Sequence, residues 1–294
     1  MSINDASPYS ARMQRVLNYI DDHLEDDLNG DVLANVAAFS KFHFQRQFSA
    51  LFGITIHRYI QLMRFKRAAF RLAFRKDRSV FEIALDSGYE GPEAFTRSFR
   101  KHQNQSPSAF RKDPQWNPWH VAYAPVNQIR NNYMSPNFTT EDVKIIEFPA
   151  TSVAVKSHHG DPALVGDTIR QFIEWRREAG LPPKKSATFN IFHSDPDETP
   201  PDEYQLDICA ATSRPIDSNS KGVVSGEIPA GRCAKVRMTG SSDNLRPAIS
   251  YLYREWLPAS GHELRDFPIF VQRVTFFPDV PDQEAVTDIF LPLL

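Results

Sequence analysis

A chain of 294 residues is long enough for two domains, and its 41% hydrophobic and 24% charged residues are the balance of an ordinary globular protein, with no run near the roughly 18 apolar residues of a membrane helix. The N-terminal "MSINDASPYSARMQRV" lacks an apolar run behind a basic start, and two cysteines, Cys209 and Cys233, make neither a zinc site nor a disulfide framework; the expectation is a cytoplasmic protein without membrane contact, its cysteines small core residues. The net charge of −2 hides an asymmetry: residues 58–112 hold 13 basic and 5 acidic side chains, while residues 114–294 carry a net −6, so a polyanion partner is expected for the basic block alone.

The first elements are helical. Val16, Leu17, Ile20 and Leu24 recur at helical spacing, and "GDVLANVAAFS" is a short amphipathic helix and turn. Ser40 is then a suitable N-cap for a helix that Gly53 ends. Within it Phe44, Phe48 and Phe52 form an apolar stripe at i, i+4 and i+8, leaving Phe42, Gln45 and Arg46 on the other side of its first turns. A long basic helix follows over 57–76, with Arg67 among its cations.

The same pattern then returns. Phe44, Arg46 and Phe48 match Phe95, Arg97 and Phe99 fifty-one positions on, and Gly53 matches Asn104, the other residue type that tolerates a left-handed turn. The turn before the second copy has Gly88, where the first has Ala38. A helix-turn-helix written twice, with a basic block, points to duplex DNA. Recognition helices present N-terminal residues to base edges; Gln pairs with adenine, Arg with guanine, and an apolar group meets the thymine methyl. Arg67, on the central helix, is expected to contact phosphate.

The stretch from "SKFHFQRQFSALFG" to "RSVFEIALDSGYEGPEAFTRSFRKHQNQSPSAFRK" resembles the DNA-binding domain of AraC/XylS-type transcription regulators. The resemblance implies base contacts from Phe42, Gln45 and Arg46 in the first reading helix and from Arg97 in the second. Pro92 and Glu93 stand where some relatives have polar readers, so the second motif is expected to read fewer bases.

"DPQWNPWHVAYAPVNQIRNNYMSPNFTTED" (113–142), rich in proline and asparagine, is taken as an inter-domain linker that packs on one domain through Trp116, Trp119 and Tyr123. Beyond it, 143–161 aligns with 223–241 at an offset of 80, and Trp175, Gly180 and Phe189 match Trp256, Gly261 and Phe270 after one insertion. The fold class expected is therefore an all-α double helix-turn-helix domain (1–112) followed by an α+β domain (143–294). The latter is built from a pseudo-twofold duplicated strand-helix-strand-strand repeat, with a cleft between its halves for a small ligand.

"SDPDETPPDEYQLDICAAT" and "FPDVPDQEAVTDIFLPL" resemble the GyrI-like effector-binding domain, and the domain order is similar to the Rob type of regulator. The resemblance implies a small-molecule effector, with RNA polymerase a further expected partner; a protein-interaction module and a vestigial hydrolase are the rival readings. Where many such domains have Phe-Glu-x-Tyr, this chain has Phe270-Val271-Gln272-Arg273. Without that acid, a neutral or weakly polar aromatic effector is expected, anchored by Gln272 or Arg273, since strand alternation turns only one inward. Trp175 and Trp256 either line the cleft or anchor helices on the sheet. His158-His159 cannot easily share a metal ion on a strand, no GxSxG, HExxH or P-loop occurs, and no catalysis, metal or cofactor is expected.

Overall fold

The computed structural model describes residues 8–133, 138–196, 198–276 and 279–294. The chain divides into two compact units, Met1–Pro136 and Asn137–Leu294. No helix among the described residues is long and apolar enough to cross a membrane.

The first unit is helical: α1 (Pro8–Asp22), α2 (Gly30–Val36), α3 (Lys41–Phe52), α4 (Ile56–Phe74), α5 (Val80–Asp86), α6 (Pro92–Gln103), α7 (Pro107–Lys112) and α8 (Trp116–Tyr133). Side chains stop and start these helices. Ser40 accepts from the His43 amide at the N-terminus of α3, Thr55 caps α4, and a reciprocal Ser79–Glu82 capping box opens α5. Gly53 and Asn104 end α3 and α6 in the left-handed conformation, at φ 69° and 54°. One core runs through the unit, with Phe44, Phe48, Phe65, Phe95, Phe99 and Phe110 fully buried.

Helix α8 corrects the linker expectation. Residues 116–133 form a continuous helix that belongs to the first unit. Trp116, Trp119, Tyr123, Val126 and Ile129 are buried at spacings of three and four, so a helical stripe was present in the sequence. Its prolines obscured it: Pro118 falls in the first turn, where no intrahelical donor is lost, and Pro125 is accommodated inside the helix. Trp116 packs edge-on to Phe110 and stacks on Phe74, as expected of a segment resting on one domain. Arg130, with no exposed surface, donates to Asp21 Oδ1 at 2.8 Å and to the Tyr59 hydroxyl at 3.4 Å, tying α8 to α1 and α4.

The second unit contains one antiparallel eight-stranded sheet. Its first half comprises β1 (Lys144–Phe148), β2 (Thr151–His159), α9 (Val165–Glu178), β3 (Thr188–Phe192) and β4 (Gln205–Ala211). Its second comprises β5 (Val224–Ile228), β6 (Gly231–Thr239), α10 (Leu245–Tyr251), a π-helical turn (Leu252–Trp256), α11 (Leu257–Ser260), β7 (Phe270–Thr275) and β8 (Val286–Pro292). The strand order is β1-β6-β8-β7-β3-β4-β2-β5; exchanging β1–β4 with β5–β8 reverses it. The halves meet at the β3–β7 pair, and each contributes its first strand to the far edge of the other.

Strand alternation gives the sheet two dissimilar faces. One packs under the helices: Phe172 and Trp175 of α9 on Leu206 and Ile208, and Leu252 and Trp256 on Val271 and Ile289. The other is an aromatic cluster of Phe148, Phe189, Phe270 and Phe290 that also buries Cys209 and Cys233. Burial raises both thiols, Cys233 to about 11, so both are inert core groups, as expected. His158 is buried between Thr168 Oγ1 and the Asp161 carbonyl while His159 is exposed; the two histidines face opposite ways.

Candidate functional site

In the helical unit the buried phenylalanine stripe of α3 decides what its other side presents. With Phe44 and Phe48 fully buried, Phe42, Gln45 and Arg46 are left exposed, Phe42 at 81%. Helix α6 repeats this: Phe95 and Phe99 are buried and Arg97 is exposed. Pro92 occupies its first turn and no side chain caps it, which leaves backbone amides at that end without a protein side-chain acceptor. A cavity of about 490 Å³ lies between the two motifs, lined by Lys41, Gln45, His57, Gln61, Arg64 and Tyr89 among others.

A polar network that the sequence did not announce sets α6 against α4. Arg58 Nη1 donates to Gln61 Oε1 at 3.0 Å and lies 2.9 Å from the His102 ring nitrogens. Gln61 Nε2 and the Tyr89 hydroxyl both donate to Ser98 Oγ, at 3.3 and 2.8 Å. These contacts join residues 37 and 44 positions apart in sequence, and no spacing rule predicts them. Burial, then the neighbouring Arg58 and Lys101, hold the His102 pKa below its ordinary value. The unfolded chain therefore takes up a proton near pH 6.5 that the folded chain refuses. Stability of this unit is expected to be full above that pH and to fall below it; His102→Gln should flatten the profile in urea melts between pH 7.5 and 5.

Arg67, the expected phosphate contact, is turned into the unit rather than left on its surface. It lies on the same stripe of α4 as Ile60 and Met63, is 7% exposed, and its Nη1 donates to Glu25 Oε1 at 2.6 Å. Arg71 joins the same carboxylate and Asp86, which also holds Arg78. Arg67 and Arg71 of α4 are thus paired with carboxylates inside the unit. Sequence counting could not separate these arginines from Arg46, Arg97, Arg100 and Lys101, which are exposed.

In the second unit the sequence-derived effector residues are not brought together. Trp175 stacks on Phe172 at 5.7 Å and Trp256 on His262 at 5.8 Å, each buried in a different cluster. They anchor helices on the sheet; the 3.6-residue period of α9 puts Trp175 on its buried stripe, and Trp256 is buried from the π-helical turn. Gln272 is on the face opposite the helices, across from Phe189 and Asp288. Val271 is fully buried against Trp256 and Ile289, so its missing acid leaves no open position there. Arg273 is the side chain that β7 turns toward the helices.

A cavity of about 550 Å³ lies between α10 and the segment after β3. Its apolar wall includes Phe192, Leu245, Ile249 and Tyr253; Asp195 and Arg246, 3.7 Å apart, are on its rim. His193 also lines it and meets Asp207 Oδ2 at 2.8 Å. Ser194 and Asp195 open the stretch that carries the sequence resemblance, but nothing in its spacing marks it as a wall of this cavity. Among the described residues no group of three or more His, Cys, Asp or Glu could hold a metal ion.

The family profile described as a GyrI-like small molecule binding domain matches residues 141–294, and a helix-turn-helix domain profile matches residues 33–113. The chain belongs to the GyrI-like family. It joins this domain to an AraC-type helix-turn-helix region. The probable transcriptional regulator YgiV of Escherichia coli K12 is 39% identical over 155 residues, 52% of this chain and 97% of that protein. The regulatory protein SoxS of Salmonella typhimurium is 35% identical over 99 residues, 34% of this chain and 92% of that protein. The right origin-binding protein of E. coli K12 is 34% identical over 101 residues, 34% of this chain and 35% of that protein.

Proposed function

We propose that this protein is a cytoplasmic, sequence-specific DNA-binding transcription regulator, not an enzyme, whose activity is set by a small organic effector bound in residues 143–294. The reading rests chiefly on one observation. Phe42, Gln45 and Arg46 stand exposed on the first turns of a helix whose opposite face is wholly buried, and Arg97 repeats this on a second helix. An 81% exposed phenylalanine has no role in the core, and a thymine methyl is a fitting contact for it. The regulator names of YgiV and SoxS support the reading, as does the small molecule binding domain profile. The cavity beside α10 is the proposed effector site, and RNA polymerase is the proposed protein partner at a promoter.

The test is DNA selection followed by titration. Arg46→Ala is expected to weaken binding to the selected site by about 1–3 kcal/mol and to relax the preference at one base position. Arg97→Ala should weaken binding with less loss of sequence preference, because α6 begins with a proline in place of a polar reader. An unchanged motif and affinity for Arg46→Ala would show that α3 does not read bases.

A further inference from the structure

Arg273 is a cation held by neutral partners. Three neutral oxygens hold this guanidinium: Nε donates to Asn190 Oδ1 at 3.0 Å, and Nη1 donates to Ser242 Oγ at 3.0 Å and to Thr287 Oγ1 at 3.4 Å. No carboxylate pairs with it among the described residues, and Nη2 has no partner among them. Arg273 is half-buried, and that burial lowers its pKa to about 10, which still leaves it charged at neutral pH. Hydroxyl and amide dipoles offset part of the lost hydration of a cation, but not its net charge. Arg237, on the sheet's other face, shows the contrast: it makes two hydrogen bonds to the carboxylate of Asp288.

Ser242 connects this cation to the cavity. It accepts from Arg273 and also lines the 550 Å³ space beside α10. The wall there is apolar along Phe192, Leu245 and Ile249. We propose that Arg273 anchors the acidic head of an amphipathic organic monoanion, a carboxylate or similar oxyanion, whose apolar body lies along that wall. The cavity's own lining sets Asp195, Glu198 and Asp243 against Arg246 and Arg254, and this small acidic excess disfavours a second negative charge on the ligand, which restricts the class to single anions. This departs from the neutral ligand expected from Val271, because the polar residue that faces the helices is a cation two positions further on. It rests on the reading of this cavity as the effector site.

The experiment uses the full chain and isothermal titration with three aryl carboxylates (benzoate, 3-phenylpropanoate and 2-naphthoate), each beside its neutral amide. At least one carboxylate is expected to bind about ten- to a hundred-fold tighter than its amide, the range of a charge-assisted hydrogen bond. Arg273→Gln should remove that preference and Arg273→Lys should keep part of it, while Ile249→Trp, which fills the cavity, should abolish binding of both forms. If acids and amides bind the wild type alike and Ile249→Trp abolishes both, the cavity reading stands and the anion proposal falls. If no compound binds, or binding survives Ile249→Trp, the cavity reading falls and the proposal with it. The wild-type acid-to-amide ratio decides the proposal even if the Arg273 variants fold poorly.

Discussion

Replacing Arg130 with alanine is expected to destabilise the helical unit by about 3–5 kcal/mol, the range for breaking a buried ion pair from one side. Arg130 is fully buried and Asp21 is 14% exposed, so the substitution takes the cation from a largely buried carboxylate and opens a cavity against Tyr59. Asp21→Asn in the same chain should recover part of the loss, because the largely buried negative charge is then gone. Hydrogen exchange resolved by peptide would show the change in α1 and α8 while leaving β1–β8 protected. A cost below about 1 kcal/mol would mean that the aromatic stripe of Trp116, Trp119 and Tyr123 holds α8 without the ion pair.

Gly88→Ala is expected to cost about 2–3 kcal/mol, although alanine already occupies the equivalent turn of the first motif. Both turns are left-handed, Ala38 at φ 53° and Gly88 at φ 80°. The backbone penalty of a Cβ there is roughly 1–2 kcal/mol, partly offset by the smaller entropy of the unfolded alanine chain. The neighbour decides the rest. A Cβ on Gly88 would run into the Arg64 guanidinium, meeting its Cζ at 3.0 Å. Arg64 donates to the Leu24 and Asp26 carbonyls, at 3.1 and 2.8 Å, and moving it breaks hydrogen bonds to a charged donor worth about 1.5–3 kcal/mol. The reverse change, Ala38→Gly, relieves the left-handed strain but frees the unfolded chain, so its effect should stay within about 1 kcal/mol of zero. Thermal melts of both variants test the contrast; equal effects would mean that φ alone governs these turns.

The helical unit was legible because its signals are local. Ser40, Gly53 and Asn104 act within one turn of the backbone, and the phenylalanine stripes of α3 and α6 are fixed by the 3.6-residue period. Those stripes also predict which residues stand outside, so the exposure of Phe42, Gln45, Arg46 and Arg97 was written in the chain. Helix α8 departs from the linker expectation for a local reason too: prolines signal a break, and only packing against α1 and α4 lets the stripe from Trp116 to Ile129 prevail.

Charge and cavity were decided elsewhere. Arg67 and Arg46 are both arginines on basic amphipathic helices, and their difference lies in Glu25, 42 positions before Arg67 in the chain and brought to it by the fold. Of the expected cleft residues Trp175, Trp256, Gln272 and Arg273, the tryptophans lie under helices, Gln272 is on the opposite face, and Arg273 meets the cavity only through Ser242, which lines it. Local pattern in the chain is enough for the helices up to residue 112, the caps at Ser40, Gly53 and Asn104, the strand alternation that turns Arg273 and Gln272 to opposite faces, and the family. Tertiary structure alone decided which charges are neutralised and which walls enclose a cavity, because ion pairing and enclosure depend on distances between residues far apart in the chain, and periodicity carries no information about those distances.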